Sequence, residues 1–216
     1  MTLKTWRDNF LTPLLDGEIL DDAQILLFVN MAKEIIEQKR NWRFLLKEDS
    51  SQTANNGDTY TTMKTLPVDF NRPLSQNGMF VGTSATSLIE FLPVLFEERR
   101  NYQNNGNFYY LDIANSQFAL IGKVANASTI YLNYTMFTPV LTALTDSFNA
   151  RWQDRWLPIL AFETSSLYRG GTDFDTDNAR MAPQNKAAAM ALYGAMVSWD
   201  MRLGTPGMRA GGDARS

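Results

Sequence analysis

Neither cysteine nor histidine occurs among the 216 residues. The chain therefore has no disulfide framework, thiolate zinc site, redox dithiol or cysteine nucleophile, and no imidazole to act as base or metal ligand. Catalysis would have to rest on carboxylates, lysine, tyrosine, serine or arginine. Long apolar runs are also missing. None approaches the roughly 20 residues that span a bilayer as a helix, and Met1 to Leu11 carries Lys4, Arg7 and Asp8 where a secretory leader is apolar. The expected location is the cytosol of the producing cell, with no membrane partner. An excess of positive charge is lacking as well. Twenty basic against 23 acidic residues give a net charge of −3 and an isoelectric point near 5.0, which argues against a general affinity for polyanions.

The 44% of hydrophobic residues is enough for one soluble domain, alone or with an appendage. The pattern divides it. Thr2 to Leu15 reads as a first helical piece broken by Pro13 and Gly17; a second opens at Asp21-Asp22 and carries Ile25, Phe28, Ala32 and Ile35 on one face to about Arg40. Trp42 and Phe44 follow as core anchors for a strand that begins there, and Leu66-Pro67 and Arg72-Pro73 bracket a segment that must run extended. Residues 45–144 change character, rich in Asn, Thr, Tyr and Phe, with short apolar stretches between turn residues. Strands are predicted at Thr59–Thr65, Met79–Val81, Ser87–Phe91, Phe108–Ile113, Gln117–Ile121 and Thr129–Phe137, with a short helix at Val94–Tyr102.

Helical periodicity returns at residues 145–203. One helix carries Trp152, Trp156, Ile159 and Leu160 and stops at Gly170-Gly171; Pro158 starts or kinks it. A second has Ala189, Leu192, Met196, Trp199 and Leu203 as its packing seam, with Ala187-Ala188-Ala189 allowing close approach. Residues 204–216, rich in glycine with Met208, Arg209 and Arg215, read as a flexible tail that orders on a partner. The predicted fold class is α+β: N-terminal and C-terminal helix pairs form one bundle (residues 1–44 and 145–203), a central antiparallel β-domain is inserted (45–144), and the tail follows (204–216).

Three features invite chemistry. Asp173, Asp175 and Asp177 alternate like the start of a calcium loop, but Asn178 stands where glycine is needed and Gln184 where the bidentate glutamate belongs, so helix capping is the simpler reading. Glu90, Glu97 and Glu98 would serve a carboxylate hydrolase, although Glu97-Glu98-Arg99-Arg100 reads more simply as a solvated helix face. Gly122-Lys123 lacks the rest of a phosphate loop. No cofactor, metal or catalytic residue is expected.

The order of elements resembles the head-to-tail adaptors of tailed bacteriophages, most of all the tail tubular, gatekeeper-ring adaptors of short-tailed phages. The residues carrying the likeness are Asn41-Trp42-Arg43-Phe44, Leu66-Pro67-Val68-Asp69-Phe70, the run Asp146 to Trp156 leading into Ile159–Arg169, and the Ala-rich last helix ending in Trp199-Asp200-Met201-Arg202. The resemblance implies a dodecameric ring in the virion neck. It would dock under the portal protein, meet a tail or nozzle protein below, and pass double-stranded DNA without gripping it. On this reading portal binding falls to Trp199, Arg202, Leu203, Met208, Arg209 and Arg215, and subunit packing to Trp152, Trp156, Tyr193 and Met196. The alternatives are another neck or tail ring component, a virion peptidoglycan hydrolase using the glutamates, and a scaffold or regulatory domain unrelated to phages.

Overall fold

In the computed structural model, residues 1–203 are described except 17, 75, 85, 103–105, 126 and 172–175, with backbone alone at 171 and 176–179. The chain forms two compact units: residues 1–45 with 138–203, and Leu46–Phe137.

The second unit corrects the expected fold class. In place of the expected helical bundle carrying an antiparallel β-insert, an extensive eight-stranded sheet is the dominant element of a sheet-rich chain with few helices. The strands are β1 (Leu46–Ala54), β2 (Lys64–Thr65), β3 (Phe70–Pro73), β4 (Met79–Gly82), β5 (Leu88–Pro93), β6 (Phe108–Asp112), β7 (Gln117–Ile121) and β8 (Ser128–Met136). Their order is β1-β8-β4-β5-β6-β7-β2, with β3 also on β8. Nor is the sheet wholly antiparallel, since β5 pairs with β6 in parallel at Leu92↔Phe108 and Pro93↔Tyr109. The chain turns through a 3-10 helix, Phe96–Tyr102, before β6, and that crossover is what parallel pairing requires.

β8 organises the sheet. Its Ile130, Leu132, Tyr134 and Met136 alternate into the core with Met79, Val81, Phe91, Tyr109, Phe118 and Leu120. β6 and β7 bury their other face too, where Tyr110, Ala119 and Ile121 pack under Tyr60, Met63, Val94, Tyr102 and Phe108. Gly82 ends β4 where space forbids a side chain, because a Cβ there would lie 2.2 Å from the Ser87 carbonyl oxygen. Gly82→Ala is expected to destabilise the sheet unit by about 1–3 kcal/mol through forced backbone displacement, read as a lowered melting midpoint in far-UV circular dichroism.

The first unit has α1 (Leu3–Trp6), α2 (Asp22–Gln38), α3 (Leu157–Gly171) and α4 (Thr176–Arg202). Of the expected N-terminal helix pair the second forms as α2, and the first is not a regular helix. After one α-turn the chain continues as a π-turn, Arg7–Leu11, and a 3-10 turn, Thr12–Leu14, with Pro13 unable to extend an α ladder. This irregular stretch is still anchored: Leu3 N donates to the Asp146 carbonyl at 2.8 Å, and Trp6 Nε1 to the Leu157 carbonyl at 2.9 Å. α2 starts at a capping box, Asp21 Oδ1 accepting from Gln24 N at 2.7 Å and Gln24 Oε1 from Asp21 N at 3.1 Å. α3 packs on α4 through small polar side chains, Asn185 Nδ2 donating to Ser165 Oγ and Ser166 Oγ to the Ala182 carbonyl.

Candidate assembly surface

The polar groups with the most unusual surroundings lie inside the helical unit and hold backbone in place. Glu37 of α2 is 1% exposed. It accepts from Thr138 N at 3.1 Å, Thr138 Oγ1 at 2.5 Å and Trp152 Nε1 at 2.9 Å. One turn earlier Lys33 donates to the carbonyls of Thr138 and Pro139. Asn30 completes the row, its amide bonding both the carbonyl and the N–H of Leu141 at 2.8 and 2.9 Å. These three side chains share one side of α2 and partner an extended segment much as a neighbouring strand would. Burial raises the Glu37 pKa, opposed by the bonds from Thr138 and Trp152 and by Lys33, while burial lowers the Lys33 pKa against the pull of Glu37.

Asp200 does the same at the end of α4. Fully buried, its Oδ1 accepts from Arg43 N at 2.8 Å and Phe44 N at 3.3 Å, and its Oδ2 lies 3.7 Å from the Arg40 guanidinium. Arg43 Nη1 in turn donates to the Met201 and Leu203 carbonyls, capping the helix. Burial raises the Asp200 pKa, offset by the Phe44 bond, by Arg40 and by Arg43. Glu37 and Asp200 thus hold the chain at Thr138 and at Arg43–Phe44, beside its two passages between units.

Aromatic rings surround these carboxylates. Phe44 meets Trp42, Trp152 and Trp199 at 5.5 to 5.8 Å, Trp199 meets Trp156 at 5.5 Å, and Tyr193 meets Trp42 at 5.5 Å. Trp152, Trp156 and Met196, expected from the sequence to contact other subunits, are therefore buried within one copy, and Tyr193 is half-buried beneath Lys39. Trp199, expected to meet a portal, is half-buried in the same packing, and Leu203, expected to do the same, is half-buried just past α4, its carbonyl bound by Arg43. Arg202 is exposed at the end of α4; Met208, Arg209 and Arg215 lie outside the described residues.

The sequence reading missed the opposite face of α4. Asn185, Ala189, Met196 and Asp200 are buried on one side, whereas Ala187, Met190, Ala191, Gly194, Ala195, Ser198 and Met201 are exposed on the other. Ala187, Ala191, Gly194, Ser198 and Met201 step by four, three, four and three, a straight seam along the helix. This seam runs about 21 Å without one charged side chain, where a solvated helix face would normally carry several. The signal was the residue spacing itself, read only for the inner face.

The other candidates bring no reactive groups together. Glu90 accepts a bond from Asn77 N, and Glu97 and Glu98 are exposed on the 3-10 helix. Asp173 and Asp175 lie outside the described residues, as does the side chain of Asp177. Among the described residues no three carboxylates cluster as a metal site, and no helix is long and apolar enough to cross a membrane. A cavity of about 280 Å³ in the sheet unit is lined by Val81, Leu88, Ile89, Phe91 and Val124 together with Lys123, Thr83 and Ser87. No protein-family model matches the sequence, and no curated protein matches it.

Proposed function

We propose that this chain is a structural assembly protein, a head-to-tail adaptor in the neck of a tailed phage virion, which joins with copies of itself and docks on the portal ring. The observation that carries this reading is the uncharged exposed face of α4. An apolar and small-residue surface of that length is a protein-contact surface in waiting, because burying it against another helix removes methyl and methylene groups from water with no charge to desolvate. The helix leads through Arg202 into residues 204–216, whose glycine, methionine and arginine content suits a segment that orders on its partner. The net charge of −3 suits a channel component that lets DNA pass.

Deleting residues 204–216 is expected to leave the helical unit folded, with unchanged tryptophan emission, while binding to the portal ring in co-sedimentation weakens by tenfold or more, about 1.4 kcal/mol at least. Undiminished binding by the truncated chain would remove the tail from the docking mechanism. Imaging of the labelled protein in the particle separates a portal adaptor from a ring component farther down the tail.

A further inference from the structure

We infer that the exposed face of α4 is covered by the exposed face of α2 from a second copy of this chain. The inference rests on the assembly reading above and names the partner of that surface. On α2 the core side is Ile25, Val29, Ala32 and Ile36, and the opposite side carries Ala23, Leu27 and Met31 at successive four-residue steps. Leu27 and Met31 are 57% and 41% exposed, a ridge of two large side chains one turn apart. α4 offers the reverse relief: at its centre Ala187, Ala191, Gly194 and Ala195 leave a shallow groove, and a Cβ on Gly194 would meet no atom within 4 Å. Large side chains on one helix seat between small ones on another at close approach.

Charge selects this pairing over α4 against α4. The solvent-reaching charges within α2 are both acidic, Asp22 and Glu34, and they bracket the Leu27–Met31 ridge about 18 Å apart; Lys39 at its C-cap is turned onto Tyr193 and Met190 of its own copy. Among the described side chains of α4 those that reach solvent are all basic, Arg180, Lys186 and Arg202; the last two bracket the groove about 24 Å apart. Lys186 already binds Glu163 and Asp22 lies 3.7 Å from Arg7, so the pair that discriminates is Glu34 with Arg202. Two α4 faces would set like charges together in either orientation, Arg202 against Arg202 when parallel and against Lys186 when antiparallel. A contact between different surfaces of identical chains is heterologous, and repeated by one rotation it closes into a ring or runs on as a filament.

The absence of cysteine makes the test direct. Leu27→Cys and Gly194→Cys are prepared separately, each shown to be folded by circular dichroism and tryptophan emission, and treated with a short bis-maleimide that tolerates an offset of one helical turn. The mixture is expected to give at least tenfold more covalent dimer than either variant alone. In parallel, Glu34→Arg and Arg202→Glu should each weaken association in sedimentation velocity, and mixing the two should restore it. Dimer from Gly194→Cys alone, or none from the mixture, overturns the α2–α4 contact. With both cysteines in one chain, a ladder ending in a band of fixed size supports the contact and the ring together; a ladder without an end keeps the contact and removes the ring.

Discussion

Glu37→Ala is expected to lower the stability of the helical unit by about 3–5 kcal/mol, the range for breaking a buried charge pair by removal of one partner. The substitution leaves the Thr138 N–H and hydroxyl and the Trp152 indole N–H without an acceptor, and Lys33, 4% exposed, without its neighbouring carboxylate. Each buried donor left unsatisfied costs about 1–3 kcal/mol by itself. Glu37→Gln keeps the shape and one acceptor oxygen but turns an amide donor toward the Thr138 N–H, and a loss of about 1–3 kcal/mol is expected. All five tryptophans, Trp6, Trp42, Trp152, Trp156 and Trp199, belong to this unit, so tryptophan emission against urea reports its unfolding without a contribution from the sheet. A loss below about 1 kcal/mol for Glu37→Ala would mean that its bonds to Thr138 and Trp152 do not stabilise the unit.

The same residue gives a pH signature. With its pKa raised by burial, native Glu37 holds its proton to higher pH than the unfolded chain does. Its contribution is therefore largest below the ordinary carboxylate range and declines as pH rises through the native pKa. Asp200, also raised, acts in the same direction. Asp146, lowered by bonds from Thr142 and Ala143, acts oppositely and at lower pH. The urea midpoint of the wild type should fall from mildly acidic toward neutral pH, and Glu37→Gln should flatten that fall. An unchanged slope in the variant would contradict the assignment.

Asp200→Ala should cost about 2–4 kcal/mol, since the buried Phe44 N–H, the partly buried Arg43 N–H and the Arg40 guanidinium lose their acceptor together. The damage should be local before it is global. Asp200 holds the last turn of α4 against Arg43 and Phe44, and Arg43 caps the carbonyls of Met201 and Leu203. Amide exchange at 199–203 is expected to accelerate by 100-fold or more while α2 amides change little, and association should weaken because Met201 and Arg202 sit on the fraying turn. Uniform acceleration across α2, α3 and α4 would instead place Asp200 in the general stability of the unit.

The legible parts of the fold were those where hydrophobic period and burial coincide. The core side of α2 was visible from Ile25 and Ala32, and β8 from Ile130, Leu132, Tyr134 and Met136. The start of β1 was legible from the anchors Trp42 and Phe44, but its extent was not, because Leu-Lys-Glu-Asp-Ser-Ser-Gln-Thr-Ala has no apolar alternation; it is a strand because β8 supplies its ladder, with a bulge between Asp49 and Gln52. β3 was legible as extended chain ahead of Pro73 but not as a paired strand; its proline is tolerated in a short flanking strand paired only with β8. Pro183 gave no break in α4, where it is exposed. The buried Lys33, Glu37 and Asp200 were invisible for a different reason. A charge on a helix reads as surface until a distant segment such as 138–141 supplies its partners, and that pairing has no local pattern. The outer seam of α4 was masked by chemistry, since alanine, glycine and serine satisfy a solvated face and a packed one equally well.

Native mass measurement of the purified chain, alone and mixed with a portal ring, bears most directly on the assembly reading. One discrete complex is expected, a portal ring plus a fixed number of copies of this chain, lost when Gly194→Leu fills the α4 groove without disturbing the fold. Unshifted masses in the mixture, or an intact complex with the groove filled, would contradict it.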